Sequence, residues 1–222
     1  MGKDYYNRFG VVLRSPLFPV YLRWAYNQGL MDVKSLGIQP NFNKTSFSCL
    51  LSGCGNEQTA DTFIQFVIQR NKNAEIYIID LGEEQITAIR RLVAVKYKDL
   101  NIKVHQINAL ELDNIIKPQS LDWIETDGFI EYFDHPSLKK LLQIWHLLLK
   151  KDGFITTRDC VTKGKLTQIT DYFRINIANL WVGAKLFAHT KKDFENLFHT
   201  IGFKHFLGNT WLYTYRRFAL IK

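Results

Sequence analysis

Two rhythms of apolar residues alternate along the middle of this chain. Short apolar runs at 47–51, 75–80, 102–107, 121–125 and 154–158 have the length and composition of strands. Between them, apolar residues recur three and four positions apart, the spacing of one helix face. Over 58–71 that face is Phe63, Phe66 and Val67; over 83–98 it is Ile86, Ile89, Leu92 and Val93. Pro118 and Gln119 mark a turn before the fourth run. A long helix is predicted over 137–150, stopped by Lys150-Lys151-Asp152-Gly153 with cationic charge in its last turn. Ahead of this series, residues 1–46 read as a helical arm or lid. Pro16 and Pro19 frame a helix start there, and Tyr21, Leu22, Trp24, Ala25 and Leu30 form its apolar face. After Arg158 the alternation breaks. Residues 160–189 carry two helical pieces containing Tyr172, Phe173, Trp181 and Phe187, read as an insertion over a pocket. Thr190 is then an N-cap for a helix from Lys191 to Thr200, and Gly202 stops it. Strands at 203–207 and 211–221 follow, with Gly208-Asn209 as their hairpin turn. Trp24, Trp145 and Trp181 all fall on helical apolar faces and are expected in the core. The pattern predicts an α/β domain over 47–222: a seven-stranded, mostly parallel, doubly wound sheet closed by an antiparallel C-terminal hairpin.

The densest signal lies between Phe47 and Asp80. A strand runs into the glycine turn Ser52-Gly53-Cys54-Gly55-Asn56, a helix follows, and a second strand ends on Asp80. Glycine lets backbone approach a nucleotide-like ligand, because no side chain intervenes. Asp80 follows at a little more than the roughly 20 residues expected of an acid that accepts hydrogen bonds from both ribose hydroxyls. A capping role at the next helix is compatible with this, since a cap uses one oxygen. Cys54 reads as a small filler, as nothing basic nearby in sequence would activate its thiol.

Composition narrows the setting. The 222 residues fit one domain with an added arm, and 46% hydrophobic residues are ample for a core. The aromatic share of 14% suggests a pocket or lid rich in rings. A net charge of +8 permits an anionic partner, but the lysines are spread along the chain, as on an ordinary soluble surface. Cys49, Cys54 and Cys160 are too few and wrongly spaced for a disulfide framework or a zinc site, which points to a reducing, cytoplasmic setting. No apolar run reaches the roughly 20 residues of a membrane span. The first residues, MGKDYYNRFG, lack a signal-peptide core, and no serine or threonine stands at the myristoylation position after Gly2.

In order, these segments resemble the class I, Rossmann-like, S-adenosylmethionine-dependent methyltransferases over residues 47–222. Gly53-Cys54-Gly55 is similar to the family's first motif, and Asp80 to its ribose-binding acid. Asn108-Ala109-Leu110-Glu111-Leu112 resembles the segment that cups adenine. Leu121 to Pro136 resembles strand four and its exit, and LLLKKDGFIT the turn before strand five. KDFENLFHTIGFKHF resembles the helix, "GF" turn and strand six, and the last hairpin matches the antiparallel seventh strand. Three positions depart from the pattern. Leu51 stands where an acid is frequent, Glu57 replaces the third glycine, and Asn108 stands where an aspartate often meets adenine; its amide can still hydrogen-bond there.

The resemblance implies S-adenosylmethionine as cofactor, S-adenosylhomocysteine as product, and methyl transfer to an oxygen, nitrogen or carbon nucleophile. It assigns cofactor contacts to Ser52, Gly53, Cys54, Gly55, Asp80, Leu81, Asn108, Ala109, Leu110, Thr126 and Asp127. Asp127, after strand four, is the first candidate for a general base, and His135 the second; a capping turn and a surface histidine are their plain alternatives. Glu131 is placed where a helix is already under way. Tyr5, Tyr6 and Arg158 are acceptor-side candidates, with arm packing and a surface Arg158–Asp159 ion pair as alternatives. The aromatic content favours a small organic or peptide acceptor. An RNA acceptor is a second reading, motivated by the charge and opposed by Glu125-Thr126-Asp127-Gly128, which is no base-methylation signature. A non-catalytic partner with the same fold is a third. A nicotinamide dehydrogenase is disfavoured by the incomplete GxGxxG pattern and the late hairpin.

Overall fold

A computed structural model describes residues 6–7, 13–183, 185–212 and 214–222. The elements in chain order are α1 (Phe18–Ser35), β1 (Ser48–Ser52), α2 (Glu57–Ile68), β2 (Glu75–Asp80), α3 (Glu83–Lys96), β3 (Ile102–Gln106), β4 (Leu121–Asp127), α4 (His135–Leu148), β5 (Leu149–Cys160), α5 (Lys165–Val182), α6 (Lys191–Ile201), β6 (Lys204–Asn209) and β7 (Tyr215–Ile221). Short 3-10 turns lie at Ala109–Asn114 and Ile130–Tyr132. The strands form one sheet in the order β3-β2-β1-β4-β5-β7-β6. The first five are parallel, and β7 runs antiparallel to both β5 and β6. This is the predicted α/β fold. The chain reverses its winding between β1 and β4, and at such a switch the strand ends leave a crevice.

β1 and most of β2 and β4 are buried on both faces, so they read as apolar runs without alternation. Leu50 packs on one side of the sheet with α4 and α6, through Leu141, Trp145, Phe194 and Phe198. Cys49 and Leu51 face the other side, covered by α1 and α2 through Leu22, Tyr26, Phe63 and Val67. Trp123 is the centre of that second layer. Its ring meets Tyr26, Phe63, Phe66 and Phe154, and its indole N–H donates to Thr156 Oγ1 at 2.7 Å.

Several boundaries differ from expectation, each for a physical reason. The helix predicted to reach residue 150 ends at Leu148, because Lys150 is drawn away to buried Asp122 (2.5 Å), which also binds Lys44 and the Ser48 N–H. β5 consequently begins at Leu149, with a register irregularity between Leu121 and Trp123. Gly208-Asn209 is not the hairpin turn. Both residues pair within the β6–β7 ladder, opposite Arg217 and Arg216, and the turn follows Asn209. Gly208 is small because a Cβ there would crowd the Arg217 guanidinium, which is engaged by Asp32 at 2.8 Å. The two helical pieces after β5 are one helix, α5, ended by Gly183 at φ +64°. Trp145 is buried, but Trp181, on α5, is 49% exposed. Thr190 caps α6 as expected, exchanging hydrogen bonds with Asp193, and Gly202 ends it at φ +101°. Among the described residues no helix is long and apolar enough to cross a membrane, and no group of His, Cys, Asp or Glu could hold a metal ion.

Trp123→Ala is expected to cost about 3–5 kcal/mol of stability, from lost burial and the cavity left among rings. Urea unfolding checks this; a loss below about 1 kcal/mol contradicts the central role given to this side chain.

Candidate functional site

Two lobes open at the carboxyl ends of β1, β2 and β4, and they meet at Gly53 and Tyr132. The outer lobe, about 470 Å³, is lined by Gly53, Asp80, Leu81, Asn108, Ala109, Leu110 and the Phe129 ring, among others. The inner lobe, about 270 Å³, lies under α1 and is lined by Gly55, Glu125, Asp127, Glu131, Arg158 and several aromatic rings.

Gly53 adopts φ +75°, and a Cβ built there would overlap the Phe129 ring. Only glycine fits both constraints. The turn is fastened from β2: the Cys54 N–H donates to Asp80 Oδ2 (2.8 Å), and the Gly82 N–H to Asp80 Oδ1 (2.7 Å). The Gly53 N–H donates to the Ile79 carbonyl at 3.0 Å. Asn56 completes the turn by capping α2, accepting the Thr59 N–H at 2.9 Å. Asp80 is thus both a brace for the turn and part of the outer wall. Burial pushes its carboxyl above the ordinary range, and the amide hydrogen bonds oppose that push. Asn108 accepts the Leu110 N–H with its side-chain oxygen (3.0 Å), so its amide nitrogen is the group left to offer.

The inner lobe is built on a row of side chains that share one face of the sheet. Leu51 is in register with Glu125, Glu125 with Thr156, and Asp127 with Arg158. Arg158, 1% exposed, lies 2.5 Å from Glu125 and 3.4 Å from Asp127. These are charge contacts without hydrogen-bond alignment. Glu125 also accepts from the Thr156 hydroxyl. Burial raises Glu125 to about 7, with Arg158 opposing. Asp127, its side chain 17% exposed, is raised in the same direction for the same reason. Tyr21 and Tyr26 of α1 cover the row, and the Tyr26 hydroxyl is buried without a hydrogen-bond partner.

The neighbouring Asp159 points the opposite way, as adjacent strand residues must. Arg158 and Asp159 therefore form no mutual surface pair. Asp159 accepts the backbone N–H groups of Phe129, Ile130 and Glu131, at 3.3, 3.1 and 3.2 Å, and fixes the segment that separates the lobes. Burial first, then the Glu131 charge, pushes its carboxyl up to about 8.

Sequence candidates divide accordingly. Gly53, Asp80, Leu81, Asn108, Ala109 and Leu110 come together at the outer lobe; Gly55, Asp127 and Arg158 at the inner one. Ser52, Cys54 and Thr126 line neither. The Thr126 hydroxyl donates to the Ser52 carbonyl (2.6 Å), a clasp between β4 and β1. Cys54 is buried, and burial drives its thiol far above its usual range, consistent with a filler. His135 is the exposed first residue of α4 and also lines neither lobe, so the geometry does not bring it to the candidate site. Glu131 lies in a 3-10 turn and pairs with Arg174 of α5. Tyr6 hydrogen-bonds Glu57 at 2.7 Å and borders a groove with Leu81 and Gly82, and Tyr5 lies outside the described residues. Missed by the sequence reading were Glu125, Tyr21, Tyr26, Phe129, Tyr132 and Tyr215, and Asp159, read with Arg158 at the end of strand five, proves to be a brace. The available signal was charge inside buried strands: Glu125 and Asp127 alternate in β4, and Arg158 and Asp159 stand in β5.

Residues 48–215 match a family model described as a methyltransferase domain. No curated protein sequence matches the chain. Solved structures of similar fold include an S-adenosylmethionine-dependent methyltransferase from Archaeoglobus fulgidus, 14% identical, covering 99% of this chain and 100% of that one with a TM-score of 0.66. One from Aquifex aeolicus is 12% identical, covering 97% and 96% at a TM-score of 0.60. The YcgJ protein of Bacillus subtilis is 15% identical, covering 83% and 72% at a TM-score of 0.61.

The raised carboxyls make stability depend on pH. Glu125 and Asp159 keep protons in the fold that the unfolded chain gives up above about pH 4. Their contribution is complete below that pH and is lost as pH rises through about 7 and about 8. The urea midpoint is expected to fall between roughly pH 4 and pH 8 and to level off above that, and Asp159→Asn to flatten the fall. A midpoint that holds level across that range contradicts these protonation states.

Proposed function

This chain belongs to the methyltransferase-domain family, and on that premise we propose that it transfers the methyl group of S-adenosylmethionine to a nucleophilic oxygen, nitrogen or carbon of a small organic molecule or peptide side chain. The observation that carries this reading is the joining of two unlike lobes at Gly53. The outer lobe, at about 470 Å³, falls within the range of small-ligand sites and offers what a nucleoside needs. Asp80 has acceptor capacity for ribose hydroxyls beyond the two N–H groups it binds. Asn108 offers an amide, and Ala109 and Leu110 give an apolar bed. The turn at Gly53 supports the fit further, since its missing side chain lets the Phe129 ring sit against the backbone and line the outer lobe.

When bound, S-adenosylmethionine supplies a methyl carbon activated by a sulfonium, open to in-line displacement. The chain supplies position and dryness. Gly53 lines both lobes and Gly55 the inner one, and between them they would hold the cofactor's amino-acid end. The Phe129–Glu131 segment, held by Asp159, sets the width of the passage between the lobes. Asp127 lines the inner lobe and is the residue suited to accept a proton from the acceptor. Tyr21, Tyr132 and Tyr215 shield the reacting atoms from water.

Calorimetric titration with S-adenosylmethionine and S-adenosylhomocysteine tests the reading. Micromolar binding is expected. Gly53→Ala should weaken it at least tenfold, about 1.4 kcal/mol, by driving the Phe129 ring into the passage. Asp80→Ala should weaken it as much or more. A folded wild-type chain that binds neither ligand removes the reading.

A further inference from the structure

Acidic side chains outnumber cationic ones in the lining of the inner lobe. Three carboxylates line it, Glu125, Asp127 and Glu131, and the lining includes one cation, Arg158. Glu125 and Asp127 share that guanidinium, at 2.5 and 3.4 Å. Glu131 is matched from outside by Arg174, which also meets Asp171 at 3.4 Å. Arg217, the next arginine along the same row, is taken up by Asp32 at 2.8 Å. Five aromatic rings complete the lining: Phe18, Tyr21, Tyr26, Tyr132 and Tyr215. Ring faces attract cations, and they do so more strongly where water is excluded. The Tyr26 hydroxyl adds a buried oxygen with no hydrogen-bond partner. Acids, ring faces and an unused oxygen around about 270 Å³ make a place for a compact cation, whereas an anionic group there would face Asp127 and Glu131.

We propose that the inner lobe is an ammonium site and that the methyl acceptor of this enzyme is an amine. The inference rests on the methyl-transfer reading and narrows its acceptor. The amine arrives as its ammonium form and is held by Asp127 and the ring faces. Its proton passes to the Asp127 carboxylate. The freed nitrogen lone pair forms the N–C bond to the methyl carbon, and the C–S bonding pair leaves with sulfur. Burial, by raising the Asp127 carboxyl, makes it a better proton acceptor than an exposed aspartate.

The test uses the full chain saturated with S-adenosylhomocysteine and titrated with three probes of one shape: tyramine (cationic), 4-ethylphenol (neutral) and 4-hydroxyphenylacetate (anionic). Tyramine is expected to bind at least tenfold tighter than either of the others. Asp127→Asn is expected to erase that preference, while an unchanged far-ultraviolet circular dichroism spectrum and retained binding of 5′-methylthioadenosine, which lacks the amino-acid end, show that the variant is folded. Tyramine binding no better than the other probes, including no binding of any, overturns the proposal. So does an Asp127→Asn variant that weakens S-adenosylhomocysteine but not 5′-methylthioadenosine, because the cation served would then be the cofactor's own ammonium. Failure of S-adenosylhomocysteine to bind the wild type is a different result: it removes the methyl-transfer reading, and this inference with it.

Discussion

The candidate site depends on one carboxylate. Asp80 ends β2 and takes a backbone N–H from each of two loops, Cys54 in the glycine turn and Gly82 before α3. Neither loop has a regular ladder partner at that point, so the acid stands in for one. A buried amide left without an acceptor costs about 1–3 kcal/mol. Without Asp80, two such amides would face each other across the mouth of the outer lobe. The left-handed backbone at Gly53, the seat of the Phe129 ring and the passage between the lobes all rest on a turn held in this way.

A second constraint is electrostatic. Five carboxylates, Glu125, Asp127, Glu131, Asp159 and Asp171, are gathered around Arg158 and Arg174 behind and beside the inner lobe. Bringing charges together out of water is costly unless they are paired or protonated. This chain uses both solutions: guanidinium pairing for Glu125, Asp127 and Glu131, and an upward shift that is largest for Glu125 and Asp159. The positive surplus of the whole sequence, +8, is therefore no guide to its interior. The bulk charge that motivated an RNA acceptor lies elsewhere than in the lobe where an acceptor would sit.

The fold was legible because its central strands are buried on both faces. A run such as Glu75–Asp80 has few readings other than a parallel strand, and Gly202 and Thr190 mark helix limits through local chemistry. The Gly208-Asn209 error has the opposite cause. Such a pair is a turn when judged locally, yet here the glycine makes room for Arg217, whose partner Asp32 lies far away in sequence. At the site, residues read from three short motifs at strand ends, Gly53, Asp80 and Asn108 to Leu110, share one lobe. Tyr21, Tyr26 and Tyr215 reach the other from α1 and β7, and no spacing rule links those positions to Asp127. His135 illustrates the remaining limit. A titratable residue close in sequence to a strand end can be carried off by a helix start, here one capped by Asp134.

The seat of α1 has a kinetic consequence. Leu22, Tyr26, Leu30 and Val33 are packed with β-sheet residues such as Leu51 and Trp123, and each such side chain is worth roughly 1.5–3 kcal/mol when fully buried. Raising α1 to uncover the inner lobe would expose them together, at a cost comparable to unfolding the domain. The lobe is bordered at the end of the helix by Phe18, Tyr21 and Leu212, and access there leaves the body of the helix in place. Opening of the lobe and unfolding of the domain are then governed by separate barriers, and the roof of the lobe is as durable as the protein itself.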